Sequence, residues 1–213
     1  MKLKKKMKWQ IVNSGKMKPK LEFRYSRVYD DRFRKNFESK NEKYPSIKKI
    51  IAYKRGIEKI WKKEGNKILL EISKVSGLKW KEEKIICYVI GKGRSFSDPL
   101  TIRIYSKLNE FVDTLIHELI HQIQTQNYDN KKFNKIKKWF DYIDIEYKNE
   151  SRLTKNHILL DDILSEIIEN LYSNKRLSKI IKNDSKFPDY KRAWKIVKDE
   201  NAQNIMKKFK LIK

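Results

Sequence analysis

Apolar residues recur every three or four positions along most of this chain, and the breaks in that rhythm outline its elements. After Pro45-Ser46, the residues Ile47, Ile50, Ile51, Ile57, Ile60 and Trp61 share one helical face opposite a run of lysines. A helix is expected there, with Gly65-Asn66 as its stop signal, and a second from about Lys67 to Val75 ended by Gly77. The rhythm then changes. Lys84 to Ile90 is short, apolar and rich in β-formers, which predicts a strand, and Leu100 to Tyr105 alternates apolar with polar residues, which predicts another. Between them Gly91 to Pro99 has the composition of a flexible loop, a connector or a rim over a site. Helical spacing returns from Ser106 to Gln126, again from Lys131 to Phe140, and, after an irregular run to Arg152, from Asn156 to Tyr172. The tail predicts three more helical pieces, Leu177 to Ile181, Asp189 to Val197 after Pro188, and Ala202 to Leu211.

The first 42 residues resist this reading. Lysines surround Trp9, Ile11 and Val12, and the aromatics from Phe23 to Phe37 begin with alternation and then lose any period. A basic arm over residues 1–42 is expected, followed by one domain over 43–175 and a helical extension over 176–213 packed on it. The fold class expected is α+β, mainly helical, with a small β-sheet preceding the longest apolar helix.

Composition narrows the class. The 213 residues carry a net charge of +25. The excess is overwhelmingly lysine and spread along the whole length, so nonspecific attraction to nucleic acid at low salt is expected without a localised binding face. Cys87, the single cysteine, lies in an apolar strand pattern and reads as buried filler, which excludes an internal disulfide framework. No apolar run of signal-peptide or membrane-span length is apparent, so a cytoplasmic protein that does not enter membranes is expected.

The chemistry concentrates in one helix. His117-Glu118-Leu119-Ile120-His121 places two imidazoles four residues apart, hence on one face, where both can close on one Zn2+ ion. Glu118, beside the first, can reach a water there without binding the metal. The chain has only three histidines, and the remaining one, His157, stands on the later helix with Asp161 four residues on. A catalytic zinc takes three protein ligands and one open position, so every histidine can serve it. Glu166 and Asp162 are the alternative third ligands on that helix, with Glu146 and Glu150 less well placed. Asp161 and Asp162 can equally be acids favoured early in a helix by its dipole.

This motif resembles the HExxH helix of the zincin metallopeptidases, matching it at every defined position. The order strand, strand, motif helix is also similar to their N-terminal subdomain, in which an edge strand receives the substrate. That resemblance would make Leu100–Tyr105, or its neighbour, the strand that pairs with a peptide backbone. Within the superfamily the gluzincin branch takes its third ligand, a Glu, from a later helix, with an Asp four residues on that orients the first motif histidine. The resemblance thus implies His157 in place of that Glu and Asp161 as the orienting carboxylate. The metzincin branch fits less well, because Gln124 and Asn127 stand where it has Gly and His.

The function expected is therefore a one-zinc metallopeptidase acting on a protein or peptide substrate, with metal-activated water and Glu118 as general base. The oxyanion stabiliser would be a tyrosine such as Tyr128 or Tyr172, or an arginine such as Arg152. Three alternatives stand beside it: a DNA-associated SprT-like protease, a noncatalytic nucleic-acid-binding protein with a structural zinc, and a degenerate zincin fold serving as a binding module.

Overall fold

A computed structural model describes residues 18–129, 134–200 and 202–212. The described residues form β1 (Lys20–Arg24), α1 (Arg27–Glu38), α2 (Ile47–Ser76), β2 (Lys84–Ile90), β3 (Phe96–Ser97) and β4 (Leu100–Arg103). The rest is helical: α3 (Leu108–Asn127), α4 (Lys135–Glu146), α5 (Arg152–Leu171), α6 (Asn174–Asp184), α7 (Pro188–Asp199) and α8 (Ala202–Leu211). The class is mainly helical α+β, with the sheet ahead of the motif helix.

The sheet order is β1-β2-β4-β3, with β1 and β4 parallel to β2 and β3 antiparallel to β4. β1 opposes β2 from Lys20↔Lys84 to Arg24↔Tyr88 and turns Leu21 and Phe23 into the core. Parallel pairing needs a long crossover, which α1 and α2 supply. Within the span expected to be a basic arm, residues 20–38 are thus a sheet strand and a helix. What ties them down is burial: Asp30 of α1 is fully buried and accepts hydrogen bonds from Tyr44 Oη at 2.6 Å and from the Gly91 amide at 2.9 Å. Residues 1–17 lie outside the described residues.

The expected break at Gly65-Asn66 does not occur, and α2 runs unbroken for 30 residues from its Ser46 cap to Gly77, whose φ of 67° ends it. A glycine inside a helix costs about 1 kcal/mol relative to alanine. Ile68, Leu69 and Ile72, all buried just beyond it, each return about 1.5–3 kcal/mol on burial, so the helix continues. Gly65 serves packing instead: a Cβ there would come within 2.4 Å of the Trp61 indole.

β4 is not an edge. It lies between β2 and β3, and the edge strand on that side is β3, formed within the expected loop. Gln122 Nε2, on α3, donates to the carbonyl of Ser97 and fixes this edge against the motif helix.

α5 is the hub of the helical part, packing against α2, α3, α6, α7 and α8. Its residues from Thr154 to Ile168 are almost continuously buried, which a helix surrounded on all sides requires. The C-terminal helices are consequently part of the same packing, with Phe209 of α8 edge-on to Trp139 of α4 at 5.7 Å. No helix among the described residues is long and apolar enough to cross a membrane.

Candidate metal centre

α3 is wedged between the sheet and α5, and Leu115, Ile116, Leu119, Ile120 and Ile123 are all essentially fully buried. Anchoring that stripe fixes the rotation of the helix and so directs His117 and His121 toward α5. α5 begins at Ser151, whose hydroxyl accepts from the Thr154 amide at 3.0 Å. Its second turn delivers His157 to the crossing with α3.

The three rings form a nearly equilateral triangle. Centroids are 5.1 Å apart for His117–His121, and 5.2 Å for both His117–His157 and His121–His157. One ligand nitrogen from each lies within 4.8 Å of the others. A tetrahedral zinc with bonds of roughly 2.0–2.1 Å wants nitrogens roughly 3.3 Å apart, a contraction that small side-chain rotations supply. These three histidines can therefore hold a metal ion.

Two further observations fit that role. His157 Nδ1 donates to the Leu153 carbonyl at 2.7 Å, so the neutral ring carries its lone pair on Nε2. That Nε2 is buried and has no hydrogen-bond partner among the described residues, a costly state for a polar atom unless a ligand takes it. Burial also keeps all three rings neutral, as metal coordination demands. It drives His117 well below the usual histidine value, with the two neighbouring histidines adding to the effect. It brings His121 to about 3 and lowers His157 as well.

Glu118 is nearly buried, and this desolvation raises its carboxyl to about 8, against the opposing pull of the Arg94 guanidinium. Beneath it Cys87 is fully buried, which holds the thiol far above its usual range.

Two side chains that sequence reasoning did not single out complete the surroundings. Tyr190, at the start of α7, lays its ring 4.4 Å from that of His157 and 6.3 Å from that of His117. Arg94, from the loop between β2 and β3, donates to the Tyr190 hydroxyl at 3.0 Å. The only sequence signals were the glycine-rich loop, expected as a connector or a rim, and the Pro188 start of a helix. Neither says which element the residue will face.

The other expected residues lie elsewhere. Asp161 is fully buried, yet neither carboxylate oxygen has a hydrogen-bond partner among the described residues, a histidine included. Its burial, with Asp184 and Asp162 nearby, pushes the carboxyl well above the usual range. Asp162 and Glu166 face α8 across a cleft shared with Met206 and Lys210, which contains none of the three histidines. Tyr172 donates to Glu64 at 2.6 Å, Arg152 pairs with Asp144 at 3.2 Å, and the half-exposed Tyr128 packs edge-on to Phe140. The oxyanion role expected of these three has no support in their placement, because each is held by a partner away from the triangle.

Compared with protein families, with curated proteins and with solved structures, the chain matches none.

Proposed function

We propose that the chain is a zinc-dependent peptidase that hydrolyses peptide bonds at the three-histidine centre. The observation that carries this reading is the convergence of His117, His121 and His157 with a carboxylate, Glu118, directly following the first of them. A purely structural site has no use for that carboxylate, and His117 and His121 remain partly exposed, as a site that admits a substrate requires.

A Zn2+ ion bound there would supply Lewis acidity, polarising a carbonyl and lowering the pKa of water. The chain's residues supply the rest. Glu118 takes the proton of the attacking water and delivers it to the leaving nitrogen; burial alone favours its protonated form, and a divalent ion held beside it would favour the carboxylate that this role needs. The Tyr190 hydroxyl, held by Arg94, still has its own proton to donate to the oxygen on which charge develops. The β3 edge, tied to α3 through Gln122 and the Ser97 carbonyl, is the strand along which an extended peptide would lie.

The test is Glu118→Gln. Metal analysis should find about one zinc per chain in both proteins, while hydrolysis of unfolded protein or of a mixed peptide library should fall at least 10³-fold in the variant. Equal turnover in the two would refute Glu118 as the base. Full zinc occupancy with no hydrolysis in the wild type would favour a structural metal in a binding protein.

A further inference from the structure

We propose that Arg94 is the anchor for a carboxylate group on the substrate, so that this centre selects peptides carrying a negative charge next to the scissile bond. The inference rests on the peptidase reading and specifies its substrate class.

Arg94 is exposed, yet its loop is held on both sides. The Gly91 amide donates to Asp30 at 2.9 Å, and Ser95 Oγ accepts from the Arg103 amide at 3.2 Å and bonds to the Tyr105 hydroxyl at 3.1 Å. The turn between passes through Gly93 at φ 136°, a conformation that side-chain-bearing residues rarely adopt. The guanidinium is thereby brought to Tyr190, and through it to the rim of the histidine triangle.

A guanidinium offers five donors, and here one is spent on the Tyr190 hydroxyl. Arg94 makes no ion pair with a carboxylate among the described residues, whereas Arg34, Arg152, Arg176 and Arg192 each close on one. The nearby acids are engaged elsewhere: Asp189 accepts from Ser151 and Thr154, and Asp184 accepts from Trp194 at 3.2 Å. Glu118 is within electrostatic reach but forms no ion pair with Arg94.

Charge bookkeeping points the same way. The three histidines are neutral ligands, so a bound divalent ion would add two positive charges to that of Arg94, and Glu118, even when fully ionised, would offset only one of them. The whole chain adds a field of +25. Such a centre draws in anionic ligands, and a planar fork with free donors matches a carboxylate bidentately. Two sources offer this group, the C-terminal carboxylate of a peptide and an Asp or Glu side chain.

The experiment uses the zinc-loaded full chain and a peptide that it cleaves, remade as matched pairs. One pair has a free or an amidated C-terminus; the others carry Glu or Gln at each position flanking the cut. The wild type should favour the charged member of at least one pair by about tenfold or more in kcat/KM, mainly through KM, as expected for a charge-assisted contact. In Arg94→Ala that ratio should fall below about twofold, and Arg94→Lys should keep part of it. The pair that shows the effect identifies the source. A wild-type ratio within twofold for every pair, or a ratio that survives Arg94→Ala, overturns the anchor. If the wild type hydrolyses no peptide at all, the peptidase reading fails by itself. The same pairs, designed on any extended peptide, then test Arg94 by fluorescence anisotropy, with the same ratio in Kd as the criterion.

Discussion

The phenol ring of Tyr190 packs 4.4 Å from the imidazole of His157, bringing a residue of α7 against the third corner of the histidine triangle. Tyr190→Phe keeps this ring packing and removes only the hydroxyl. Its kcat should fall about 100-fold with KM little changed, the loss typical of one oxyanion donor. Zinc content should not move. An unchanged kcat would reduce Tyr190 to a packing role.

Metal retention separates the candidates for the third ligand. His157→Ala should lower bound zinc from about one per chain toward zero after dialysis, whereas Asp162→Ala and Glu166→Ala, which face α8, should retain it. Metal that binds only the folded chain also stabilises it. A chelator should therefore lower the wild-type Tm by several degrees and leave that of His157→Ala where it was.

Asp162 makes stability depend on pH in a direction opposite to that of an ion-paired acid. Burial raises its folded-state carboxyl to about 8, with Glu166 adding to the shift and the Met206 amide opposing it, while an unfolded Asp titrates near ~3.9. Between these values only the folded chain holds the proton. Stability from this group is full below about pH 4 and is lost as pH rises toward 8. Asp162→Asn removes the titration, so its Tm relative to wild type should climb steadily from pH 5 to pH 8. A constant difference across that range would count against a protonated Asp162.

The loop that carries Arg94 hangs on Asp30, which accepts from Tyr25, Tyr44 and the Gly91 amide. Asp30→Ala strands these donors in a buried place and should cost about 2–4 kcal/mol in denaturant unfolding. Gly91→Ala attacks the same joint sterically, since its Cβ would come 2.4 Å from the Tyr44 ring. Both changes should weaken any charge preference before they touch zinc content.

Much of this arrangement could be read from local order. The strand over Lys84–Ile90 was expected with the bounds observed, and the motif helix and the His157 helix came within a few residues of theirs. A helix that hides an apolar stripe repeats its pattern every turn, and a strand every second residue, so both periods survive in one dimension. Local order says less where a residue's use is set by distant partners. Gly65 looked like a stop because a glycine's local preference is visible, while the Trp61 ring lying over it within a buried stretch is not. β1 lies within the span expected as an arm, because five residues carry little periodic signal until β2 provides the hydrogen bonds.

By itself the sequence determined the mainly helical α+β class and the pairing of His117 with His121, because four residues make about one helical turn and local geometry suffices. That His157 rather than Glu166 faces those two, and that Tyr190 and Arg94 arrive beside them, was decided only in three dimensions. The rotation of α5 follows from the packing of α2, α3, α6, α7 and α8 around it, and the position of Arg94 from a loop pinned to α1 and β4. Such long-range packing joins residues with no fixed spacing along the chain, so no short stretch of sequence encodes it.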